Sequence, residues 1–201
     1  LQDGRMVFNG AIFKSEYDDK QESILIPVNL ANVATVIRNA ASMEMTGLEL
    51  ELMYQVTEAW DLMVTYGYLE AEYKDYLADL TGDGVITDNS GLIPRNTPEN
   101  TFGITTSYTT QIGNGELKGR ISYRFRDEMN SDSSNNPLGD LDSIENVNAT
   151  INYSFSDYSV TLWGRNLTDE REQRWATIGG LTSRGWWNEP QTLGITFAAS
   201  F

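Results

Sequence analysis

The sequence predicts an all-β fold, an antiparallel transmembrane β-barrel segment of about eight strands with short periplasmic turns and long extracellular loops. Three observations predict it. Apolar and polar residues alternate with a period of two over stretches of about 9–11 residues, the length of a membrane strand. Tight turns alternate with long polar connections along the chain. Aromatic residues gather at both ends of the alternating stretches.

In chain order, the first stretch, Met6–Tyr17, is irregular but readable. In the second, Leu48, Leu50, Leu52 and Tyr54 alternate with Glu49, Glu51 and Met53. In the third, Trp60, Leu62, Val64, Tyr66 and Tyr68 alternate with Asp61, Met63, Thr65, Gly67 and Leu69. Phe102–Thr110 is again looser. Next, Leu117, Ile121, Tyr123 and Phe125 alternate with Lys118, Arg120, Ser122, Arg124 and Arg126. Val147, Ala149, Ile151, Tyr153 and Phe155 then alternate with Asn146, Asn148, Thr150, Asn152 and Ser154. After a looser Tyr158–Leu167, the pattern is unbroken from Thr192 to Phe201, with Leu193, Ile195, Phe197, Ala199 and Phe201 on one face.

The connections fall into two kinds. Gln55–Ala59, Gln111–Gly115 and Ser156–Asp157 read as tight turns. Asp18–Val36, Lys74–Pro98, Asp127–Asp142 and Thr168–Pro190 read as long polar loops, of a length uncommon in compact soluble domains. Alternation alone also fits a soluble β-sandwich, whose polar face is solvated. Aromatic placement favours the barrel. Tyr54, Trp60, Tyr153, Phe155, Tyr158 and Phe201 lie beside the short turns, and Tyr66, Tyr68, Tyr123 and Phe125 toward the long loops. Two such bands are the girdles expected at the two membrane interfaces.

Composition narrows the function. With 14 Lys and Arg against 29 Asp and Glu, the net charge of −15 argues against a nucleic-acid partner, which needs clustered positive charge. The absence of cysteine leaves no disulfide framework or thiolate metal site. The absence of histidine excludes a Ser-His-Asp triad, a His-ligated zinc and a His general base. No catalytic residue is expected, and the chain is not expected to be an enzyme. No apolar run approaches the ~20 residues of an α-helical span. No initiator Met or signal peptide is visible, so the N-terminus is expected to be removed or not included.

The closing segment, Asn188-Glu-Pro-Gln-Thr-Leu-Gly-Ile-Thr-Phe-Ala-Ala-Ser-Phe201, resembles the C-terminus of the TonB-dependent receptors. Gly164-Arg-Asn-Leu-Thr-Asp-Glu-Arg171 resembles that family's Asn-Leu-x-Asp segment. Arg38-Asn-Ala, Gly47-Leu-Glu-Leu-Glu51 and Ile93-Pro-Arg-Asn-Thr-Pro98 resemble its upstream segments. The resemblance implies a transporter of about 22 strands, of which this chain would be the last third, with plug domain and TonB box outside it. It implies location in the outer membrane of a Gram-negative bacterium and uptake of an iron chelate, cobalamin or an oligosaccharide. The implied partners are outer-membrane lipid and lipopolysaccharide, the plug domain, TonB, the barrel-assembly machinery, and a small-molecule or glycan ligand. Gly194, Phe197 and Phe201, with Thr192 and Ala199, resemble the signal that the assembly machinery reads.

Three constellations are candidate sites. Asp79-Leu-Thr-Gly-Asp-Gly-Val-Ile-Thr-Asp-Asn-Ser90 resembles a calcium loop, with ligands from Asp79, Thr81, Asp83 and the Val85 carbonyl. Ser90 replaces the usual twelfth-position acid, so Asp88 would have to compensate. The bland alternative is an Asp/Gly turn without metal, and no cofactor is required. Trp175, Arg184, Trp186 and Trp187, near Arg174, would stack on and pair with a ligand, or else pack within the loop. Lys118, Arg120, Arg124, Arg126 and Arg165 must face the lumen, because Arg or Lys on the lipid face costs about 2–4 kcal/mol at the midplane. Glu49, Glu51 and Asp61 are expected to oppose them from neighbouring strands, and charge pairing across the wall is the favoured reading. Two other functions compete with uptake: a self-contained eight-stranded barrel with a structural or adhesive role, and a soluble calcium- or carbohydrate-binding sandwich.

Overall fold

The structure, a computed structural model, describes residues 4–29, 32–39, 42–81, 83–179 and 182–201. Its strands are β1 (Met6–Tyr17), β2 (Gln21–Asn29), β3 (Asn32–Asn39), β4 (Ser42–Thr57), β5 (Trp60–Asp75), β6 (Leu77–Ala78), β7 (Thr87–Asp88) and β8 (Asn100–Ile112). There follow β9 (Gly115–Arg126), β10 (Met129–Asn130), β11 (Asp140–Leu141), β12 (Ile144–Phe155), β13 (Tyr158–Arg165), β14 (Gln173–Gly179), β15 (Thr182–Trp187) and β16 (Thr192–Ala199). A 3-10 turn, Pro137–Gly139, sits between β10 and β11.

Eight long strands form one antiparallel sheet in the order β1-β4-β5-β8-β9-β12-β13-β16, each beside its sequence neighbour. The register carries one face across the whole sheet. Ile12 lies opposite Leu48, Leu48 opposite Tyr68, and Leu62 opposite Thr106. Ile121 lies opposite Thr106 and Ala149, Ile151 opposite Leu162, and Leu162 opposite Ile195. Because a strand's side chains alternate, the polar partners of all these residues share the other face.

That apolar face is uncovered. Ile12 is 83% exposed, Leu193 70% and Phe197 71%. In a sandwich a second sheet would bury these residues, so the sandwich expectation is corrected: this face needs lipid. The self-closing eight-stranded barrel is corrected too. β1 pairs with β4 and β16 with β13, and the sheet order leaves β1 and β16 as open edges.

Aromatics on the apolar face form the two expected bands. Tyr153, Phe155 and Tyr158 stack in sequence beside the Ser156-Asp157 turn, with ring centroids 5.5 and 5.8 Å apart. Trp60 and Tyr108 extend this band, and Trp60 Nε1 donates to Thr106 Oγ1 at 2.7 Å. At the other end Phe102 and Tyr123 lie 6.1 Å apart, and Tyr66 OH donates to Asn100 Oδ1 at 2.7 Å.

The long connections are not plain loops. β2–β3, β6–β7, β10–β11 and β14–β15 each form a two-stranded ribbon inside one of them. β4 and β5 have 16 residues each, about 54 Å at ~3.4 Å per residue, far more than the ~25 Å apolar band needs. Their surplus length rises above the membrane and carries the core of the molecule, Met43, Tyr73, Tyr76 and Ala78, with Met45, Leu80 and Leu92 packed on it. A wall one sheet thick has no interior, so burial concentrates where loops fold over strand ends.

The loops are tied to that core and to one another. Glu22 is 1% exposed and accepts from Tyr73 OH at 2.6 Å and Lys20 Nζ at 2.5 Å, with Arg95 at 3.6 Å. Burial alone would raise the Glu22 pKa; the bonds from Lys20 and Tyr73 and the charges of Lys20 and Arg95 outweigh it and hold it below its ordinary value. Asn135 Nδ2 donates to Ile93 O at 2.7 Å and Asn135 Oδ1 accepts from Ile93 N at 2.9 Å, joining the second loop to the third. Ser131 Oγ donates to Ala176 O at 3.0 Å, joining the third to the fourth.

Candidate functional site

The polar face of the sheet is built for solvent and ligand. β9 sets Lys118, Arg120, Arg124 and Arg126 on it, because period two aligns them while Leu117, Ile121, Tyr123 and Phe125 face outward. Arg165 joins them from the end of β13, its guanidinium 5.3 Å from the Trp163 ring. All five predicted cations therefore share one face. Glu49, Glu51 and Asp61 share it as well, on β4 and β5.

The expected pairing between these groups does not occur. Glu49 and Glu51 on β4 are separated from β9 by β5 and β8, whereas Asp61 on β5 is separated by β8 alone, in register with Arg120 through Ser107 but forming no ion pair with it among the described residues. Glu51 Oε1 accepts from Asn9 Nδ2 at 3.0 Å instead. Among the described residues, Arg126 alone of the five forms an ion pair, and its partner is a loop residue: Arg126 Nη2 lies 3.3 Å from Glu172 Oε1. The basic stripe is not free of acids: Glu116 shares its face two residues below Lys118, and Asp61 lies opposite Ser107, itself opposite Arg120.

At the loop end of β8, β9 and β12 this face opens into a concavity of about 920 Å³. Arg124, Arg126, Arg165, Arg174 and Trp187 line it, with Glu172 as their near neighbour. Arg126 is fixed by donating to Asp127 O at 2.7 Å and Asp142 O at 3.0 Å as well as to Glu172. Arg174 Nε stands 3.6 Å from Glu172 Oε2. One carboxylate thus faces two guanidinium groups, and Arg124 and Arg165 have no acidic partner among the described residues. Such an arrangement can hold a carboxylate, a phosphate or a catecholate oxygen by charge-assisted hydrogen bonds.

Asn166 holds the far rim. It is buried, with φ of 48°, in the left-handed region that Asn tolerates better than most residues. Its backbone N–H donates to Asn148 Oδ1 at 3.0 Å, and its Nδ2 donates to Glu170 O at 2.9 Å and Glu189 O at 3.0 Å. Asn188 Oδ1 accepts from Glu172 N at 3.1 Å. Neither Asn166, Glu172 nor Asn188 stands out as a site residue from the sequence. The Asn-Leu-x-Asp segment was the available signal for Asn166.

The predicted tryptophan group divides. Arg184, Trp186 and Trp187 belong to β15, so Trp187 points to the face opposite Arg184 and Trp186. Trp187 lines the concavity, whereas Trp186 is 75% exposed on the far side. Trp175 lies in β14 in register with Trp186; its side chain is outside the described residues.

The 79–90 loop is a turn structure. Asp79 Oδ2 accepts from Gly84 N at 2.8 Å and its Oδ1 from Thr81 N at 3.2 Å; Asp83 Oδ1 accepts from Val85 N at 2.8 Å. Asp88 belongs to β7, where Ser90 Oγ and N donate to its Oδ1 at 2.6 and 3.0 Å and hold its pKa below the ordinary value. Asp88 Oδ1 is thus engaged by Ser90, and among the described residues no three acids converge as a metal cage. Gly194 lies under the Trp163 ring, where a Cβ would come within 2.2 Å of Trp163 Cζ2. Phe197 faces outward opposite Val160, and Phe201 lies exposed past the end of β16. Of the other quoted segments, Arg38-Asn-Ala falls partly outside the described residues, at Ala40.

An open, lipid-facing antiparallel wall with a charged inner face and interlocked outer loops defines one section of a large outer-membrane β-barrel. The family model described as TonB dependent receptor-like, beta-barrel, matches residues 1–167, and the chain belongs to that family. Solved structures agree in fold. The ferric yersiniabactin uptake receptor FyuA from Yersinia pestis is 17% identical, with a TM-score of 0.77 over 98% of this chain and 28% of that one. The ferric-catecholate import receptor Fiu from K12 E. coli is 19% identical, with 0.70 over 100% and 26%. The copper transporter OprC is 13% identical, with 0.68 over 98% and 29%. The chain thus spans less than a third of each of these proteins.

Proposed function

We propose that this chain is the wall and outer-loop section of an outer-membrane receptor that takes up a small anionic ligand of the metal-chelate class, in a TonB-dependent manner. The observation that carries the reading is the concavity. The whole chain has 14 Lys and Arg against 29 acids, yet four arginines converge at this one place. Guanidinium groups beside an indole suit a ligand with anionic oxygens on aromatic rings. The similar structures are a receptor for ferric yersiniabactin, an importer of a ferric catecholate and a copper transporter, all with metal cargo. The section binds and orients, and no catalytic role is assigned to any residue. Plug domain, TonB, lipopolysaccharide and the assembly machinery are its proposed partners, and the Gram-negative outer membrane its proposed location.

The test uses the full-length receptor and a ferric tris-catecholate as probe, titrated by tryptophan fluorescence. Replacing both Arg165→Gln and Arg174→Gln removes two charge-assisted bonds and is expected to weaken binding at least about tenfold, since such bonds are worth ~1.5–3 kcal/mol each. An unchanged affinity in the double variant refutes the assignment of the concavity.

A further inference from the structure

The four arginines of the concavity are not held alike, and the difference lies in the fourth long connection rather than in the wall. Arg126 is locked. It is 17% exposed and donates to two backbone carbonyls as well as to Glu172. Arg174 is 67% exposed, and its ion pair among the described residues is with Glu172 alone. The 3.6 Å between Arg174 Nε and Glu172 Oε2 exceeds the ~2.7–2.9 Å of a charge-assisted hydrogen bond, so charge holds the arginine there without a directed bond.

The backbone explains this freedom. In the β14–β15 ribbon Gln173 pairs with Trp187 and Trp175 with Trp186, which leaves Arg174 as the extra residue of a β-bulge, with no partner across the ribbon. A bulge bends its strand and re-aims a side chain, and bulges gather beside functional sites. Glu172, one turn of the pleat away, is fixed instead. Its N–H donates to Asn188 Oδ1 at 3.1 Å, and its carbonyl accepts from Asn188 N at 2.9 Å. The carboxylate is 15% exposed, with Oε1 on Arg126 and Oε2 turned to Arg174. That second oxygen competes for Arg174 with any anionic oxygen that enters the concavity.

We propose that Arg174 is a movable arm, held on Glu172 in the unliganded receptor and transferred to an anionic oxygen of the bound ligand; this rests on the anionic ligand assigned above. Arg126 stays on Glu172 throughout, so the base of the ribbon is not loosened. Glu172 thereby sets the charge of the ligand. A solute that reaches Arg174 alone only exchanges one carboxylate for another. A solute whose further oxygens meet Arg124 and Arg165, which have no acidic partner among the described residues, gains from those contacts and takes Arg174 as well. The competing acid therefore selects multiply charged chelates against single carboxylates.

The test uses the full-length receptor, with a ferric tris-catecholate as probe and the reactivity of Arg174 as a second readout. Glu172→Asp keeps the charge and withdraws it by one methylene. It is expected to tighten binding about threefold, the order an exposed ion pair is worth, and to change nothing in an Arg174→Gln background. Glu189→Gln removes the other acid that lines the concavity and is expected to act equally in both backgrounds. Without ligand, Glu172→Asp should also speed modification of Arg174 by phenylglyoxal about threefold, read by mass spectrometry, and leave Arg165 unchanged. An affinity that Glu172→Asp does not alter, or alters equally in both backgrounds, overturns the arm and leaves Glu172 acting through its field alone. Weaker binding also overturns it, and makes Glu172 a group that holds Arg174 in place for the ligand. If the chelate fails to bind while Glu172→Asp still speeds the modification, the arm stands and the error lies in the ligand class at the concavity. Silence of both readouts overturns both.

Discussion

Exchanging one adjacent pair of residues tests which face of the wall meets lipid. Ile121 and Ser122 sit at the middle of β9, and the register points Ile121 outward, 54% exposed, and Ser122 inward between Arg120 and Arg124. Ile121→Arg places a guanidinium at the hydrocarbon midplane, at a cost of about 2–4 kcal/mol. Ser122→Glu places a carboxylate on the lumen face, ~7 Å from the backbone of each flanking arginine. At that separation each attraction is worth about 0.6 kcal/mol in bulk water before screening by salt. The second variant should therefore match the wild type within roughly 0.5 kcal/mol, or exceed it slightly. The two single-residue changes differ by at least about 2 kcal/mol, roughly 30-fold in the ratio of folded to unfolded protein. Guanidinium titration of the full-length receptor in lipid vesicles measures this. If Ser122→Glu costs as much as Ile121→Arg, the face assignment is wrong, and the concavity falls with it.

Three further outcomes are expected. Gly194→Ala drives a Cβ into the Trp163 ring and should lower the folded yield, while adding Trp163→Ala should restore it; no rescue would mean that Gly194 acts in assembly rather than by making room. Glu22→Ala leaves Tyr73 OH without its acceptor and Lys20 without its counter-charge, and breaking such a buried pair costs about 3–5 kcal/mol. Hydrogen exchange should rise in β2 and β3 and stay unchanged in β9 and β12. Because the folded pKa of Glu22 lies below its unfolded value, this stabilisation is present above the unfolded value and is lost as pH falls through the folded one. Protection of β2 and β3 should be flat from about pH 7 to 5 and decline below about 4. Asp79→Ala releases the N–H groups of Thr81 and Gly84, so exchange should accelerate across 79–88 and nowhere in the wall.

The wall was legible in the sequence because lipid imposes one rule on every strand. Leu48, Ile121, Ile151 and Phe197 each had to be apolar, and a period of two followed without any knowledge of neighbours. Even the looser Met6–Tyr17 had the observed bounds. Above the membrane no such rule operates. Gln21–Asn29 and Asn32–Asn39 pair with each other in a ribbon, and water satisfies whatever the ribbon leaves open, so their residues carry no strong pattern. The Glu22, Tyr73 and Arg95 cluster joins residues 51 and more positions apart, which no local signal reveals. The concavity was half legible. Its arginines followed from alternation on β9, whereas Asn166 and Glu172 enter through loop closure, and the splitting of Trp186 from Trp187 required the strand in which both lie.

A chain of net charge −15 that attracts an anionic ligand looks contradictory until distance is considered. Exposed charges act over a screening length of about 8 Å at physiological salt. β4 stands three strand spacings from β9, about 14 Å at ~4.8 Å each, so Glu49 and Glu51 contribute little to the potential at Arg120. On the outward face above the membrane, Glu44 is met by Lys14 at 2.8 Å and by Lys74 at 4.0 Å, and Glu72 pairs with Lys74, which removes part of the acidic excess from play. Glu172, one of the two acids that line the concavity, lies between Arg126 and Arg174 and is outnumbered. What an approaching ligand meets is the sum over its own neighbourhood, and at the concavity four arginines stand against Glu172 and Glu189. Net charge therefore argues against a polyanion that must lie across the whole surface, and permits a small anion that touches only the concavity.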